Sequence, residues 1–386
     1  MGKLTAPSRP HGTILAVNSG SSSLKIGFFA FEDDDEQPLL TAVAENIGRD
    51  DGRLRLSGTN GKTISEQNHD ARTQEEAFAR LLDASRDFIT ESPTLIGHRI
   101  VHGGPNLTAH QVVTAALLKE LQAAVHFAPL HIPVSIRLIH QAQEAYPDIA
   151  NVACFDTAFH HSLPEVARRL PLPAEYDRMG VRRYGFHGLS YESVVHRLGD
   201  RVPECTIVAH LGNGSSLCAL RWGRSVETTM GLTPTGGIPM ATRSGDLDPG
   251  VLLFLMRSQG MSADALEVLL NERSGLKALA GESDMKCLLA RRAAGDQQAE
   301  AAVAAFVHGV RLALGAYAAS LSGLDLLVFT GGIGEHSAEI RSLICHGLNI
   351  LHLSDDSGCS RVAVLPTEEE RQIARICRSM ELPCKN

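Results

Sequence analysis

The chain has 386 residues, of which 44% are hydrophobic and 21% charged, with a formal net charge of −8. That length favours two domains over one core, and the composition is that of a globular protein. The acidic balance argues against general nucleic-acid binding but not against an anionic substrate held in a locally basic site.

Residues 1–11 carry a few basic groups and no apolar stretch, so they read as a short loose tail and not as a signal peptide. No apolar run is read as approaching the roughly 20 residues that span a bilayer. Residues 13–30 read as strand, turn and strand around Asn18-Ser19-Gly20-Ser21-Ser22-Ser23-Leu24-Lys25. The acidic stretch Glu32-Asp33-Asp34-Asp35-Glu36 reads as a solvated loop tip, because clustered like charges repel and stay wet. Asp51-Gly52 and Asn60-Gly61 are hairpin signals and predict an antiparallel meander. Thr73-Gln74-Glu75-Glu76 has the form of a capping box; Ala77, Leu81, Leu82 and Phe88 follow at roughly helical spacing. A strand is predicted over 95–101, ending at His102-Gly103-Gly104-Pro105, and a helix over 114–124. Prolines in Ala128-Pro129-Leu130-His131-Ile132-Pro133 predict extended backbone there. Residues 151–155 read as a buried strand with Asp156 at its end.

A second strand and turn follow in Ile207-Val208-Ala209-His210-Leu211-Gly212-Asn213-Gly214-Ser215-Ser216-Leu217. Residues 298–321 read as an alanine-rich helix in which Gly309 and Gly315 permit close packing. A strand over 326–330 runs into Gly331-Gly332-Ile333-Gly334-Glu335, a third glycine loop. A last helix starts near Thr367. Hairpins mixed with strand–helix alternation in both halves indicate an α/β fold.

The two glycine–serine turns carry the chemistry. Glycine admits close approach, so backbone N–H groups and hydroxyls can converge on phosphate. Two such turns suggest two related halves that share one polyphosphate, and Lys25 adds a cation beside the first. The third loop offers bare backbone to a base or ribose. None of the three is a Walker A loop or Gly-x-Gly-x-x-Gly. Arg99 and Arg243 stand out among glycines, and arginine's planar fork suits carboxylate and phosphate oxygens. Phosphoryl transfer needs such cations around spread-out negative charge. Most of the 17 histidines must be structural; His187, in Tyr184-Gly185-Phe186-His187-Gly188, is the candidate donor to a phosphoryl oxygen. His98 and His102 lack the glutamate of a helical zinc motif, and His160-His161 lacks partners in the sequence. Asp156 can hold a metal-bound water or orient an arginine. In Pro366-Thr367-Glu368-Glu369-Glu370 the pattern alone favours helix-start electrostatics over metal binding. The eight cysteines include no Cys-x-x-Cys pair and read as reduced thiols in a cytoplasm.

Over residues 13–378 these segments together resemble the acetokinase family of the acetate and sugar kinase/Hsc70/actin superfamily. The motifs that carry the resemblance lie at 18–25, 97–104, 128–133, 155–160, 183–188, 210–216, 228–249 and 329–335. The resemblance implies a two-domain, actin-like (ribonuclease H-like) ATPase fold with a duplicated βββαβαβα core. Its domains would be residues 1–158, with a C-terminal helix at 370–386 packing back, and a nucleotide-binding domain at 159–369. It implies reversible, direct, in-line transfer of the ATP γ-phosphoryl group to acetate, giving acetyl phosphate and ADP. Magnesium, or manganese in its place, would be required, in a cytoplasmic homodimer with no nucleic acid or membrane partner.

The resemblance also assigns roles. Arg99 and Arg243 would hold the carboxylate and the transferring group, His187 and Arg243 would stabilise the transition state, and His131 would add to that environment. Asp156 would position an arginine or the metal water, and Asn18 and Glu369 would support the metal. Lys25, His210, Leu211, Gly212, Asn213, Gly214, Asp284, Met285, Lys286, Gly332, Ile333, Gly334, Glu335 and His336 would line the nucleotide site. Val101, Leu130, Phe186 and Pro234 would surround the acid's methyl group. Val101, not a smaller residue, favours acetate over propionate, though one methylene discriminates by only roughly 1–3 kcal/mol. Departures from the family pattern are Ala241 before Thr242-Arg243, His336 after Glu335, and the stretch 235–239. Open alternatives are a propionate or butyrate kinase, an ATP-regulated binding protein and a phosphate-ester hydrolase.

Overall fold

The computed structural model describes residues 12–20, 22–32, 35–348, 351, 353 and 361–380. The expected tail, Ser21, Asp33, Asp34, Cys359, Cys384 and the last helix beyond 380 lie outside the described residues. Two compact units divide the chain, one drawn from Met1–Ala158 with Glu368–Asn386 and the other from Phe159–Thr367. Glu369 therefore belongs to the first unit, on the other side of the expected boundary.

The first unit is built on β1 (Thr13–Ser19), β2 (Leu24–Glu32), β3 (Asp35–Glu45), β4 (Gly52–Gly58), β5 (Thr63–His69), β6 (Leu95–Ile100), β7 (Gln111–Val112) and β8 (Ala150–Phe155), in the order β5-β4-β3-β2-β1-β6-β8-β7. The second holds β9 (Cys205–Leu211), β10 (Ser215–Arg221), β11 (Arg224–Thr228), β12 (Leu326–Thr330) and β13 (Val362–Val364), in the order β11-β10-β9-β12-β13. The two sheets repeat one plan. β3-β2-β1-β6-β8 and β11-β10-β9-β12-β13 each pair antiparallel twice and then parallel twice. The core is duplicated, and the two glycine–serine turns are equivalent hairpins, β1–β2 and β9–β10. The first unit extends the plan with the β4–β5 hairpin at one edge and β7 at the other.

Alternation along β1 and β9 sorts their side chains onto two faces. Leu15 and Val17 enter a core shared with Phe78 and Leu81 of helix Gln74–Ser85 and Leu138 of helix Ile132–Ala145. On the β1–β2–β6 face lies helix Glu369–Ser379. Gly97 lets it seat, because a Cβ there would come within 2.4 Å of Ile373 and 2.5 Å of Cys377. In the second unit Ile207, Ala209 and Leu211 pack with helix Gln297–Leu321, whereas Val208 packs with Tyr191 and Val194 of helix Gly188–Leu198.

Several local expectations are corrected. The β2–β3 hairpin is tight, with Glu32 opposite Asp35. Glu36 consequently turns inward and is 2% exposed, paired with Arg375 at 2.9 Å and Arg378 at 3.6 Å. Pro133 does not hold extended backbone; it stands in the first turn of helix Ile132–Ala145, where its missing N–H costs nothing. The capping box forms in part: Thr73 caps Glu76, but the Glu76 carboxylate accepts from the Arg72 N–H. Phe88 lies beyond that helix and is exposed. The third glycine loop is a short helix, Gly331–His336. Gly309 does permit packing, with Pro239 2.8 Å from its missing Cβ, but Gly315 faces open space. Helix Gln297–Leu321 is long and apolar enough to cross a membrane by length and composition, contrary to the reading of the sequence. Its apolar face is buried against β9 and β10 in the second core.

Candidate active site

The candidate residues fall into two groups, one in each unit. In the first, Arg99 stands one residue before the end of β6, beside Asp156, which follows β8. Arg99 Nε and Nη2 both donate to Asp156 Oδ2, at 2.9 and 2.6 Å, and Nη1 donates to Asn18 Oδ1 at 3.0 Å. Asn18 Nδ2 donates to Glu369 Oε2 at 2.9 Å and to Glu370 Oε1 at 2.8 Å. The amide is thereby oriented: its two hydrogens face glutamates and its oxygen faces the guanidinium. Burial alone would lower the Arg99 pKa; Asp156, then Glu369 and Glu370, outweigh it and hold Arg99 above its usual value. Three of the five guanidinium N–H groups make these bonds; Nη1 also lies 3.7 Å from Glu369 Oε2, and the second N–H of Nη2 makes none of these contacts.

This cluster sets three carboxylates against one guanidinium, and its donors are hard oxygens. No group of three or more His, Cys, Asp or Glu side chains forms a metal cage among the described residues. An all-protein zinc or calcium site does not fit. An ion that takes one or two protein oxygens and completes its shell with phosphate and water does, which is the habit of magnesium. Lys25 pairs with Asn18 across β1–β2 and its side chain is exposed. Val101 is buried, Leu130 is half exposed, and His131 begins helix Ile132–Ala145 at its N-cap.

The second group surrounds the β9–β10 turn. Register fixes His210 opposite Ser216, and both share the sheet face of Val208 and Cys218, on which helix Gly188–Leu198 packs. The bonds between sheet and helix are crossed. His187 Nδ1 meets Ser216 Oγ at 2.9 Å, and His210 Nδ1 meets Ser190 Oγ at 2.8 Å. The two imidazoles stack with centroids 4.3 Å apart. His187 holds φ +59°, a left-handed conformation rare outside glycine. A Cβ at Gly214 would come within 3.1 Å of His187 Nε2 and 3.4 Å of Arg243 Nη1, so both groups crowd this turn. Arg243 Nη1 also donates to the Pro234 carbonyl at 3.2 Å, and the Ala241 N–H donates to the Asn213 carbonyl at 3.3 Å. Phe186 and Pro234 are buried.

The remaining nucleotide candidates divide by role. Gly332 is exposed with nothing near its missing Cβ, and lies close to Gly212. Ile333 packs against the core, and Gly334 lies buried in the same short helix. Glu335 Oε1 instead accepts from the backbone N–H of Gly331 and of Thr367, at 3.0 and 2.8 Å. It latches the helix start. His336 is exposed at its end. Asp284 caps helix Met285–Ala293, Lys286 is exposed, and the Met285 side chain lies in the core.

The sequence reading gave no role to Ser190 or Tyr191, took Ser216 only as part of its turn, and took His160 as lacking partners. Tyr191 stands one helical turn after His187, a spacing that could have flagged it. His160 has partners after all: its Nε2–H donates to the Phe186 carbonyl at 3.0 Å, and Nδ1 meets Ser225 Oγ at 2.8 Å. Burial lowers its pKa to about 4, so it braces the segment before His187 as a neutral ring. His98 is likewise buried and neutral, with pKa about 4, and bonds Asn151 Oδ1 at 2.7 Å.

The profile of the acetokinase family matches residues 13–375. The chain belongs to the acetokinase family. An acetate kinase of Methylocella silvestris is 40% identical over 94% of this chain and 96% of its own length. Among solved structures, the acetate kinase of Porphyromonas gingivalis has a TM-score of 0.82 at 32% identity, covering 95% of this chain and 98% of that one. A propionate kinase of Francisella tularensis has a TM-score of 0.86 at 33% identity, covering 96% and 100%. This acetokinase is therefore a kinase, a phosphotransferase that works with ATP and ADP.

Proposed function

We propose that this acetokinase transfers the ATP γ-phosphoryl group directly, in line and reversibly to acetate, giving acetyl phosphate and ADP. The observation that carries the reading is the Arg99 cluster. A desolvated guanidinium, fixed by Asp156 and Asn18, presents its remaining N–H capacity to a small carboxylate.

In this reading Arg99 orients the acceptor and Asp156 orients Arg99. Val101, Leu130, Phe186 and Pro234 surround the methyl group. His187 and Arg243 donate to the oxygens of the transferring group as its charge spreads, and His131 adds to that environment. His210–Gly214 and Lys25 take the nucleotide phosphates, with Asp284, Lys286 and Gly332–His336 towards the nucleoside. Asn18 and Glu369 would hold magnesium or manganese, which would supply charge neutralisation for the phosphates. Positioning and electrostatics suffice, because no group on the protein needs to bond covalently to phosphorus.

A hydroxamate assay with ATP and acetate, propionate or butyrate tests the reading. Acetate should give the highest kcat/KM, and Val101→Ala should lower the KM for propionate. Absence of hydroxamate from every acid would end the kinase assignment. ATP loss independent of acid would mean a hydrolase. Propionate is the second reading, favoured by the likeness to the Francisella tularensis propionate kinase.

The enzyme is also proposed to be cytoplasmic and homodimeric. Helix Pro249–Gln259 supports the second point: none of its residues is buried, and Val251, Leu253, Phe254 and Met256 are all exposed. Apolar surface concentrated in this way marks an interaction face.

A further inference from the structure

The crossed His–Ser pairs contain a third member that the mechanism above does not use. Tyr191 is fully buried, and its hydroxyl lies 2.5 Å from Ser216 Oγ, the same atom that lies 2.9 Å from His187 Nδ1. We propose that Tyr191 and Ser216 are positioning residues that fix His187 as the tautomer with its proton on Nε2. The inference rests on the reading of His187 as a donor to the transferring phosphoryl group.

Each hydroxyl in the chain carries one proton. The phenol is the stronger acid and the aliphatic hydroxyl the better acceptor, so Tyr191 donates to Ser216. The serine's own proton is then directed at the imidazole, and Nδ1 accepts it. The single ring proton of a neutral imidazole is left on Nε2. Successive donation polarises such a chain and strengthens each link.

Nε2 is the atom that faces the turn, beside the missing Cβ of Gly214 and near Arg243 Nη1. An N–H there attracts anionic oxygen, whereas the other tautomer would turn a lone pair towards it. A protonated ring would donate from both nitrogens, so the Ser216–His187 bond would have to reverse, with Ser216 accepting from both neighbours and its own proton turned elsewhere. Backbone geometry keeps the three groups together. His187 begins helix Gly188–Leu198, the Tyr191 N–H donates to the His187 carbonyl at 3.1 Å, and Ser216 is anchored in β10.

The test is two-bond proton–nitrogen NMR on the full chain labelled with ¹⁵N-histidine, with His187 assigned by its loss in His187→Gln. The expected result is an unprotonated Nδ1 and a protonated Nε2. Tyr191→Phe, which keeps the buried ring, should move His187 to a mixture of tautomers. It should also lower kcat roughly tenfold with KM values within about twofold. Ser216→Ala should shift the tautomer in the same way. A wild-type ring protonated on Nδ1 would overturn the proposal, and so would Tyr191→Phe or Ser216→Ala variants whose His187 spectrum is unchanged. The spectra need no turnover, so failure of acetate as an acceptor is recognised separately from failure of the relay.

Discussion

Gly214 stands where a methyl group would press on His187 Nε2 and Arg243 Nη1. Gly214→Ala is predicted to lower kcat by about ten- to a hundredfold, because misplacement of such donors is costly. Its urea midpoint should stay near that of wild type, since the added methyl presses on the ends of two side chains and not on backbone. A normal kcat would remove His187 and Arg243 from the phosphoryl environment. The buried imidazoles give a prediction of another kind. His98 and His160 have folded pKa values of about 4 against 6.5 when exposed. Between those values the unfolded chain binds protons that the folded chain refuses. Stability is therefore full above about pH 6.5 and falls as pH drops towards 4, by up to about 3 kcal/mol per ring. Urea unfolding at pH 7 and pH 5 should show the loss, and His98→Gln should reduce it; equal slopes for both proteins would refute the assignment.

At the scale of elements, helix Gln297–Leu321 offers an internal control. Gly309 is closed in by Pro239, whereas Gly315 meets nothing within 4 Å. Gly315→Ala is predicted to stabilise by about 0.5–1 kcal/mol through backbone entropy, and Gly309→Ala to destabilise by about 1–3 kcal/mol through overpacking. Thermal unfolding of the pair should separate them, and equal shifts would contradict the packing. The same helix shows where reading along a sequence fails. Its length and hydropathy meet the test for a membrane span because one face is core, and pattern alone does not say what covers an apolar face. The acidic hairpin fails in the opposite direction. Five acidic residues suggest a wet tip, yet Glu36 is drawn inward by Arg375 and Arg378 of the last helix. Those arginines, with Arg371, follow helical spacing along one stripe, but no local rule says that the stripe meets a strand more than 300 residues away in the chain.

At the scale of the whole molecule, each unit carries the same five-strand plan, which is why two turns of one composition recur as equivalent hairpins. Assembly is predicted to use helix Pro249–Gln259. Light scattering should give a dimer for the wild type and a monomer for Phe254→Asp. A dimer unchanged by Phe254→Asp would place the interface elsewhere, and a monomeric wild type would remove the proposal.

Sequence by itself determined the α/β alternation, the main strands, the two glycine–serine turns and, through resemblance, the family. These are local or linear properties: hydrophobic period, glycine where the backbone must turn, and the order of motifs. Arg99, Asp156 and His187 could be singled out as candidates for the same reason, since each sits in a distinctive short motif. Only tertiary structure decided that Glu369 and Glu370 both hold the Asn18 amide and that Glu335 latches a helix start. It alone joined Tyr191 to His187 through Ser216. Hydrogen bonds between residues far apart in the chain depend on sheet register and helix docking, and neither is written in the spacing of any one segment.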